Sequence, residues 1–210
     1  MRRLLSKLKL YAKFLKLSNY DKADFEWWWR RNFIDPAPHF VKMNILTSDP
    51  NIDVWIETGT FLGNTTEVLA RSCPKVFSIE PDEKLADAAT EKFASNSNVV
   101  ILKGLSENLL GKILENEKDL SSKTVAFWLD GHFSDGVTHR GPLETPVVRE
   151  LEIIKPYVRA TGRLLIYVDD FRCFVRGEKD YPTPNYLVEW AAANGFYWDV
   201  QHDIFIMKNG

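Results

Sequence analysis

The chain has 210 residues, a length that predicts one domain with at most a modest appendage. Hydrophobic residues make up 45% and charged residues 27%, which argues against disordered and fibrous proteins. Twenty-seven basic and 29 acidic residues give a net charge of −2, so no nucleic-acid partner is expected. Cys73 and Cys173 are too few for a disulfide scaffold and lack metal-ligand spacing, which predicts a cytoplasmic protein.

Residues 1–17 carry six basic side chains and no acidic one, with leucines at helical spacing. This pattern predicts a basic amphipathic helix. Such a helix could contact the inner membrane surface peripherally, or pack on the domain or on a second subunit of a homodimer; packing is favoured. Residues 18–50 are aromatic-rich and irregular, with a short helix around 24–31 that Pro36 and Pro38 end. We therefore divide the chain into an N-terminal segment, 1–50, and a main domain, 51–210.

Short apolar runs alternate with helical patterns from residue 53 onward. This alternation predicts an α/β fold, a doubly wound, mainly parallel seven-stranded sheet with an antiparallel C-terminal hairpin. The predicted strands are 54–56, 76–80, 99–102, 125–130, 164–169, 196–200 and 204–207. Predicted helices begin at residues 65, 146 and 186, and another ends at Phe93.

The first strand runs into the segment IETGTFLGNTT, residues 56–66. Gly59 and Gly63 would allow a tight turn and close approach to a ligand, with Thr65 or Thr66 opening a helix. Glu57 could accept a hydrogen bond from a cationic amino group. The segment is neither a dinucleotide fingerprint nor a phosphate-binding loop, and a glycine turn is also ordinary strand-to-helix geometry.

Acidic residues follow the other strands. Glu80 lies about 20 residues beyond the glycine turn, where an acid can accept both ribose hydroxyls, and Ser106 could contact an adenine edge. Asp130, Asp169 and Asp170 end strands that open into one cleft, which predicts a Mg²⁺ site. The alternative for each aspartate is helix capping or a loop hydrogen bond.

These motifs resemble the class I S-adenosylmethionine-dependent methyltransferases over about residues 52–208. The resemblance implies S-adenosylmethionine as the methyl donor. The donor-binding residues that it implies are Glu57, Thr58, Gly59, Thr60, Gly63, Thr65, Thr66, Glu80, Ser106 and Asp130. The family often has an acidic residue where this chain has Leu105.

The segments WLDGH and VDDF are similar to those of metal-dependent sugar and macrolide O-methyltransferases and of cephalosporin hydroxylase-like proteins. That likeness implies Mg²⁺ on Asp130, Asp169 and Asp170, with Asp130 and His132 in catalysis. His132 would be the base, although the nearest sugar methyltransferases have an aspartate there. A neutral imidazole suits proton removal near pH 7.

The loops after strands four and five carry further candidates. His139, Arg140 and Arg172 could contact the acceptor, although a solvated loop explains His139 and Arg140 equally well. The sequence thus favours an S-adenosylmethionine-dependent, Mg²⁺-assisted O-methyltransferase for a small hydroxylated acceptor, with a sugar or glycan favoured. One alternative is an inactive, membrane-associated scaffold of the same fold. The other is a metal-dependent hydroxylase, which ranks low because no pair of histidines accompanies a carboxylate at the predicted rim.

Overall fold

A computed structural model describes residues 15–30, 36–131 and 144–210. Its strands form one seven-stranded sheet in the order β3-β2-β1-β4-β5-β7-β6. Their bounds are β1 Val54–Thr58, β2 Val76–Glu80, β3 Val99–Lys103, β4 Thr124–Leu129, β5 Arg163–Val168, β6 Tyr197–Gln201 and β7 Ile204–Lys208.

Helices cover both faces of this sheet. Those of the described residues are α1 Asn19–Arg30, α2 His39–Leu46, α3 Asn64–Ala70, α4 Glu83–Lys92, α5 Ser106–Asn116, α6 Val147–Ile154, α7 Phe171–Arg176 and α8 Pro184–Ala193. Short 3-10 turns, Leu120–Ser122 and Lys155–Tyr157, follow α5 and α6.

The first five strands are parallel, and β7 joins the sheet antiparallel between β5 and the edge strand β6. β1 pairs with β2 on one side and β4 on the other, so the strand order reverses at β1. Ligands of doubly wound sheets bind in the crevice at this reversal, beyond the carboxyl ends of the strands. The predicted fold class is confirmed, including the antiparallel C-terminal hairpin.

Three helices depart from the sequence prediction. α5 and α7 were not predicted, and α2 lies in the segment predicted to be irregular. Pro38 is the N-cap of α2, so this proline precedes a helix as well as ending the pattern before it. On α5, Leu110, Ile113 and Leu114 are buried at helical spacing, which a closer count of the apolar positions would have detected.

Helix α2 packs directly on the sheet. Its Met43, Ile45 and Leu46 share one core cluster with Trp55 of β1 and Trp128 of β4. Burying three large apolar side chains is worth several kcal/mol, on the order of 1.5–3 for each. This packing fixes α2 beside the central strands, although it belongs to the segment preceding the predicted main domain.

Helix α1 contacts the turn between β6 and β7. Trp28 is buried, its ring 5.5 Å from that of His202 in the β6–β7 turn, whereas Trp27 is half exposed. The predicted basic helix lies largely outside the described residues, which begin at residue 15. Membrane contact and a homodimer therefore stay predictions. Within the described ranges, no helix is long and apolar enough to cross a membrane.

Candidate functional site at the carboxyl edge of the sheet

Backbone hydrogen bonds align the strand ends along one rim. The amide of Gly59 donates to Ile79 O at 2.9 Å, and that of Asp130 donates to Thr58 O at 3.2 Å. The amide of Asp169 donates to Leu129 O at 3.1 Å, which extends the alignment to β5. The predicted rim is therefore continuous from β2 to β5.

The glycine turn needs its glycines. Gly59 has a φ of +87° and Gly63 a φ of +70°, in the left-handed region where a side chain is strained. A Cβ at Gly59 would lie 2.5 Å from the carbonyl oxygen of Asp130, so the turn crosses the end of β4 in close contact. Gly63 is the N-cap of α3, which begins at Asn64, one residue before the predicted Thr65.

Glu80 is held at the end of β2 by two backbone donors. The amide of Phe61 donates to its Oε2 at 2.7 Å, and the amide of Asp82 donates to its Oε1 at 2.9 Å. The side chain is buried at the base of the glycine turn. Each carboxylate oxygen has further lone-pair capacity, so this oriented carboxylate fits the ribose role predicted for it.

Glu57 lies beneath the glycine turn, where one of its carboxylate oxygens is hydrogen-bonded. It is fully buried, and its Oε2 accepts hydrogen bonds from Thr66 at 2.5 Å and from Ser78 at 2.6 Å. Thr60 extends this network through a 2.6 Å contact with the Ser78 hydroxyl. Burial raises the pKa of Glu57 to about 8. Its predicted contact with a donor amino group stays a prediction.

A second buried acid, Glu150 on α6, was not predicted. Its carboxyl group lies beside Gly131, since a Cβ there would be 3.4 Å from Oε1. Burial raises the pKa of Glu150 to about 7. Hydrogen bonds from Ser106 and Thr58 act in the opposite direction and only partly offset this effect. Two predicted donor-binding side chains are therefore engaged with this acid. The signal was available in the sequence, because Glu150 is an acidic residue on the apolar face of a helix.

We expect the protonation of Glu150 to make stability fall as pH rises. Its folded-state pKa lies above the unfolded value of 4.5, so the folded state retains a proton that the unfolded state releases between about pH 4.5 and 7. Glu150→Gln mimics the neutral acid and should remove this loss. Its stability relative to wild type should therefore rise by on the order of 3 kcal/mol between about pH 5 and 8. Urea unfolding at both pH values measures this difference.

Glu152→Gln is the matched control, because its side chain on the same helix is half exposed. This variant should follow the wild-type pH profile. Parallel profiles for Glu150→Gln and wild type would show that Glu150 is ionised in the folded protein across this range.

A lysine from α2 lies in the acidic corner at the ends of β4 and β5, which consists of Asp130, Asp169 and Asp170. The ammonium of Lys42 contacts Oδ2 of Asp169 and lies 3.8 Å from Oδ1 of Asp170. Asp130 contributes to the same field. Burial alone would lower the pKa of Lys42, but the three carboxylates outweigh it and raise that pKa, so the lysine is charged.

Arg172 supplies a second cation to this corner. Its Nη1 lies 2.5 Å from Oδ1 of Asp170 and also contacts Asp203, whose Oδ1 accepts from the Arg172 amide at 2.7 Å. The guanidinium that was predicted to contact an acceptor is thus engaged by two carboxylates. Neither Lys42 nor Asp203 was predicted, because both come from parts of the chain far from the strand-end motifs.

The predicted Mg²⁺ site does not fit this arrangement. Within the ranges that the structure covers, no group of three histidine, cysteine, aspartate or glutamate residues is arranged as a metal site while Lys42 is in place. Mg²⁺ requires oxygen ligands at about 2.0–2.1 Å, and an ammonium already contacts Oδ2 of Asp169. The prediction of Asp130, Asp169 and Asp170 together was sound in placement, but a lysine supplies positive charge there.

Three predicted residues lie outside the described part of the chain: His132, His139 and Arg140. Their roles as base and acceptor contacts stay predictions. Asp130, two residues before His132, lies half-buried at the end of β4, against Thr58.

Several solved structures with the same architecture are methyltransferases by name. A Clostridium thermocellum protein provisionally named an rRNA methylase is 14% identical, with a TM-score of 0.54 over 80% of this chain and 93% of that one. A Streptococcus mutans methyltransferase, also provisionally named, was solved with SAH; it is 16% identical, with a TM-score of 0.52 over 80% and 93%. The N-methyltransferase NodS from Bradyrhizobium japonicum is 12% identical, with a TM-score of 0.50 over 80% and 90%.

No protein-family model matches the chain, and no curated protein matches its sequence. The structural likeness, at such low identity, establishes the fold. The chain has the Rossmann-like fold of the class I S-adenosylmethionine-dependent methyltransferases. The likeness to sugar and macrolide O-methyltransferases stays a prediction.

Proposed function

We propose that the protein is an S-adenosylmethionine-dependent methyltransferase whose acceptor is a small hydroxylated molecule, with a sugar or glycan favoured. The observation that carries the proposal is the position of Glu80. Its carboxylate is buried at the end of β2, oriented by two backbone amides and adjacent to the glycine turn. An acid in that place accepts the hydroxyls of a nucleoside ribose.

The donor would lie along the rim between β2 and β4. Glu80 would bind the ribose, while Gly59 and Gly63 would let the backbone approach the rest of the molecule. When bound, S-adenosylmethionine supplies a sulfonium methyl group. The backbone of this turn would hold the donor's orientation, because the turn packs closely against Asp130 and Phe93.

The acceptor would bind beside the acidic corner. Asp169 is buried with its Oδ1 unpartnered among the described residues, and it lines a small pocket with Gly131, Thr145 and Glu150. Carboxylate oxygens accept hydrogen bonds from hydroxyl groups, which supports an alcohol-bearing substrate. As the new C–O bond forms and the C–S bond breaks, the hydroxyl proton would pass to His132 or Asp130.

An RNA acceptor is disfavoured for this chain, although one structural neighbour is provisionally named an rRNA methylase. The net charge of −2 provides no general electrostatic attraction for a phosphate backbone. The proposed reaction does not use Mg²⁺, because Lys42 contacts the carboxylate that would bind it.

Binding of S-adenosylhomocysteine, measured by calorimetry, tests the donor site. We expect wild type to bind it and Glu80→Gln to bind it at least about tenfold more weakly, since the amide replaces one of the two acceptor oxygens and removes the charge. Glu83→Gln is the matched control. Glu83 lies three residues away and is largely exposed, so its substitution should leave binding unchanged.

Two results would contradict the proposal. One is the absence of S-adenosylhomocysteine binding by folded wild type. The other is equal affinity in wild type and Glu80→Gln, which would place the ligand elsewhere. Transfer of labelled methyl groups to a panel of sugars and small alcohols then tests the acceptor class.

A further inference from the structure

Lys42 lies outside the strand-end motifs, yet its ammonium contacts two carboxylates of the acidic corner. Its side chain is 15% exposed, and the side chain of its partner Asp169 is fully buried. The ammonium also lies 3.8 Å from Oδ1 of Asp170, and 5.9 Å from the ring centroid of Trp128. One nitrogen therefore reaches both carboxylates that follow β5 and lies close to the last residues of β4.

The position of Lys42 is fixed by the packing of the helix that carries it. Its neighbours Val41 and Met43 are buried, as are Ile45 and Leu46 one turn further along α2. The helix cannot move away from the sheet without exposing these side chains, so the ammonium is held at the corner.

Carboxylates gathered at the carboxyl edge of a sheet repel one another unless a cation lies among them. Asp130, Asp169 and Asp170 carry up to three negative charges at adjacent strand ends. Lys42 and Arg172 carry two positive charges in contact with Asp169 and Asp170. A divalent cation at coordination distance from Oδ2 of Asp169 would lie close to the ammonium of Lys42 and be repelled by its charge.

We propose that the Lys42 ammonium takes the place of a divalent cation in this corner, so that the site is metal-independent. The lysine is a positioning residue: it neutralises and orients Asp169 and Asp170 beside the proposed acceptor position. The position beside the acceptor rests on the proposed function. The replacement of a metal ion by the ammonium does not, because it depends only on the residues of the corner. Removing the ammonium while keeping the carboxylates should convert the corner into a cation site.

Titration with Mn²⁺, followed by the loss of its free six-line electron paramagnetic resonance signal, tests this directly. We expect no specific Mn²⁺ binding by wild type at micromolar concentrations. Lys42→Met, which keeps the aliphatic stem, should bind one Mn²⁺ per chain with at least about tenfold higher affinity. Lys42→Met combined with Asp169→Asn should lose that gain, because the ligand is no longer a carboxylate.

Lys75→Met is the matched control. Lys75 also pairs with a carboxylate, that of Glu117, but lies away from the rim, so its variant should bind Mn²⁺ no better than wild type. If Lys42→Met does not fold, Lys42→Gln provides the same neutralisation with a polar end. Circular dichroism identifies the folded variants.

Specific Mn²⁺ binding by wild type that Asp169→Asn abolishes would overturn the proposal. So would a folded, neutral Lys42 variant with no gain in affinity. The Mn²⁺ signal does not depend on the methyl donor. Failure to bind S-adenosylhomocysteine would therefore overturn the proposed function, while the Mn²⁺ titration would still test the role of Lys42. Where donor binding is observed, EDTA should leave it and the rate of methyl transfer unchanged.

Discussion

Replacing Gly59 with alanine is expected to destabilise the protein by about 2–5 kcal/mol. Two effects add. The φ of +87° places any Cβ in the strained left-handed region, at about 1–2 kcal/mol. That Cβ would also lie 2.5 Å from Asp130 O and 3.0 Å from Asp130 C, which are backbone atoms of the neighbouring strand end and cannot rotate away. Chemical unfolding in urea measures the loss.

Gly177→Ala separates the two effects. Gly177 has a φ of +67°, similar in backbone strain, but a Cβ added there would meet no heavy atom of the described residues within 4 Å. Its alanine variant should lose only about 1–2 kcal/mol, the conformational part. Equal losses in the two variants would show that the turn can separate from β4. If Gly59→Ala folds, we also expect weaker binding of S-adenosylhomocysteine, because the turn would be displaced from the rim.

The sequence predicted the site's positions well because parallel strands carry a strong local signal. Strands β1, β4 and β5 are buried on both faces and therefore appear as continuous apolar runs. The polar residue that follows each run must then lie at the carboxyl edge. Asp130 and Asp169 were placed at this edge by this reasoning alone, without knowledge of the strand order.

The sequence did not predict which contacts these acids make. Lys42 and Asp169 are 127 residues apart, and nothing near Lys42 marks it as part of a site. The helix that carries it was obscured by the aromatic and proline-rich pattern around it. Glu57 shows the same limit: its place at the end of β1 was predicted, but only packing decides that it lies under the turn, against Thr66 and Ser78.

The acidic corner illustrates how a correct placement can lead to a different chemistry. Three neighbouring carboxylates demand positive charge, and from the sequence a metal ion was the simplest source. The fold supplies lysine and arginine from α2 and α7 instead. Long-range packing, rather than the motif, therefore decides whether such a corner binds a metal ion.

Loss of the Lys42 ammonium is expected to have the largest electrostatic effect on stability. Lys42→Met should lower the free energy of unfolding by about 3–5 kcal/mol, because it leaves the buried Asp169 carboxylate without its partner. Asp169→Asn should also destabilise the protein, since it leaves a buried ammonium. In the double variant both charges are gone, so its loss should be smaller than the sum of the single losses by about 2–3 kcal/mol.

A surface pair provides the scale for this coupling. Lys103 and Asp87 lie 2.8 Å apart, but their side chains are 43% and 65% exposed, so their coupling should be small and weaken with salt. The Lys42–Asp169 coupling should be larger and less sensitive to salt, because the Asp169 side chain is fully buried and that of Lys42 is only 15% exposed. A coupling no larger than that of the surface pair would mean that water screens the corner. An ammonium so screened could not exclude a divalent cation.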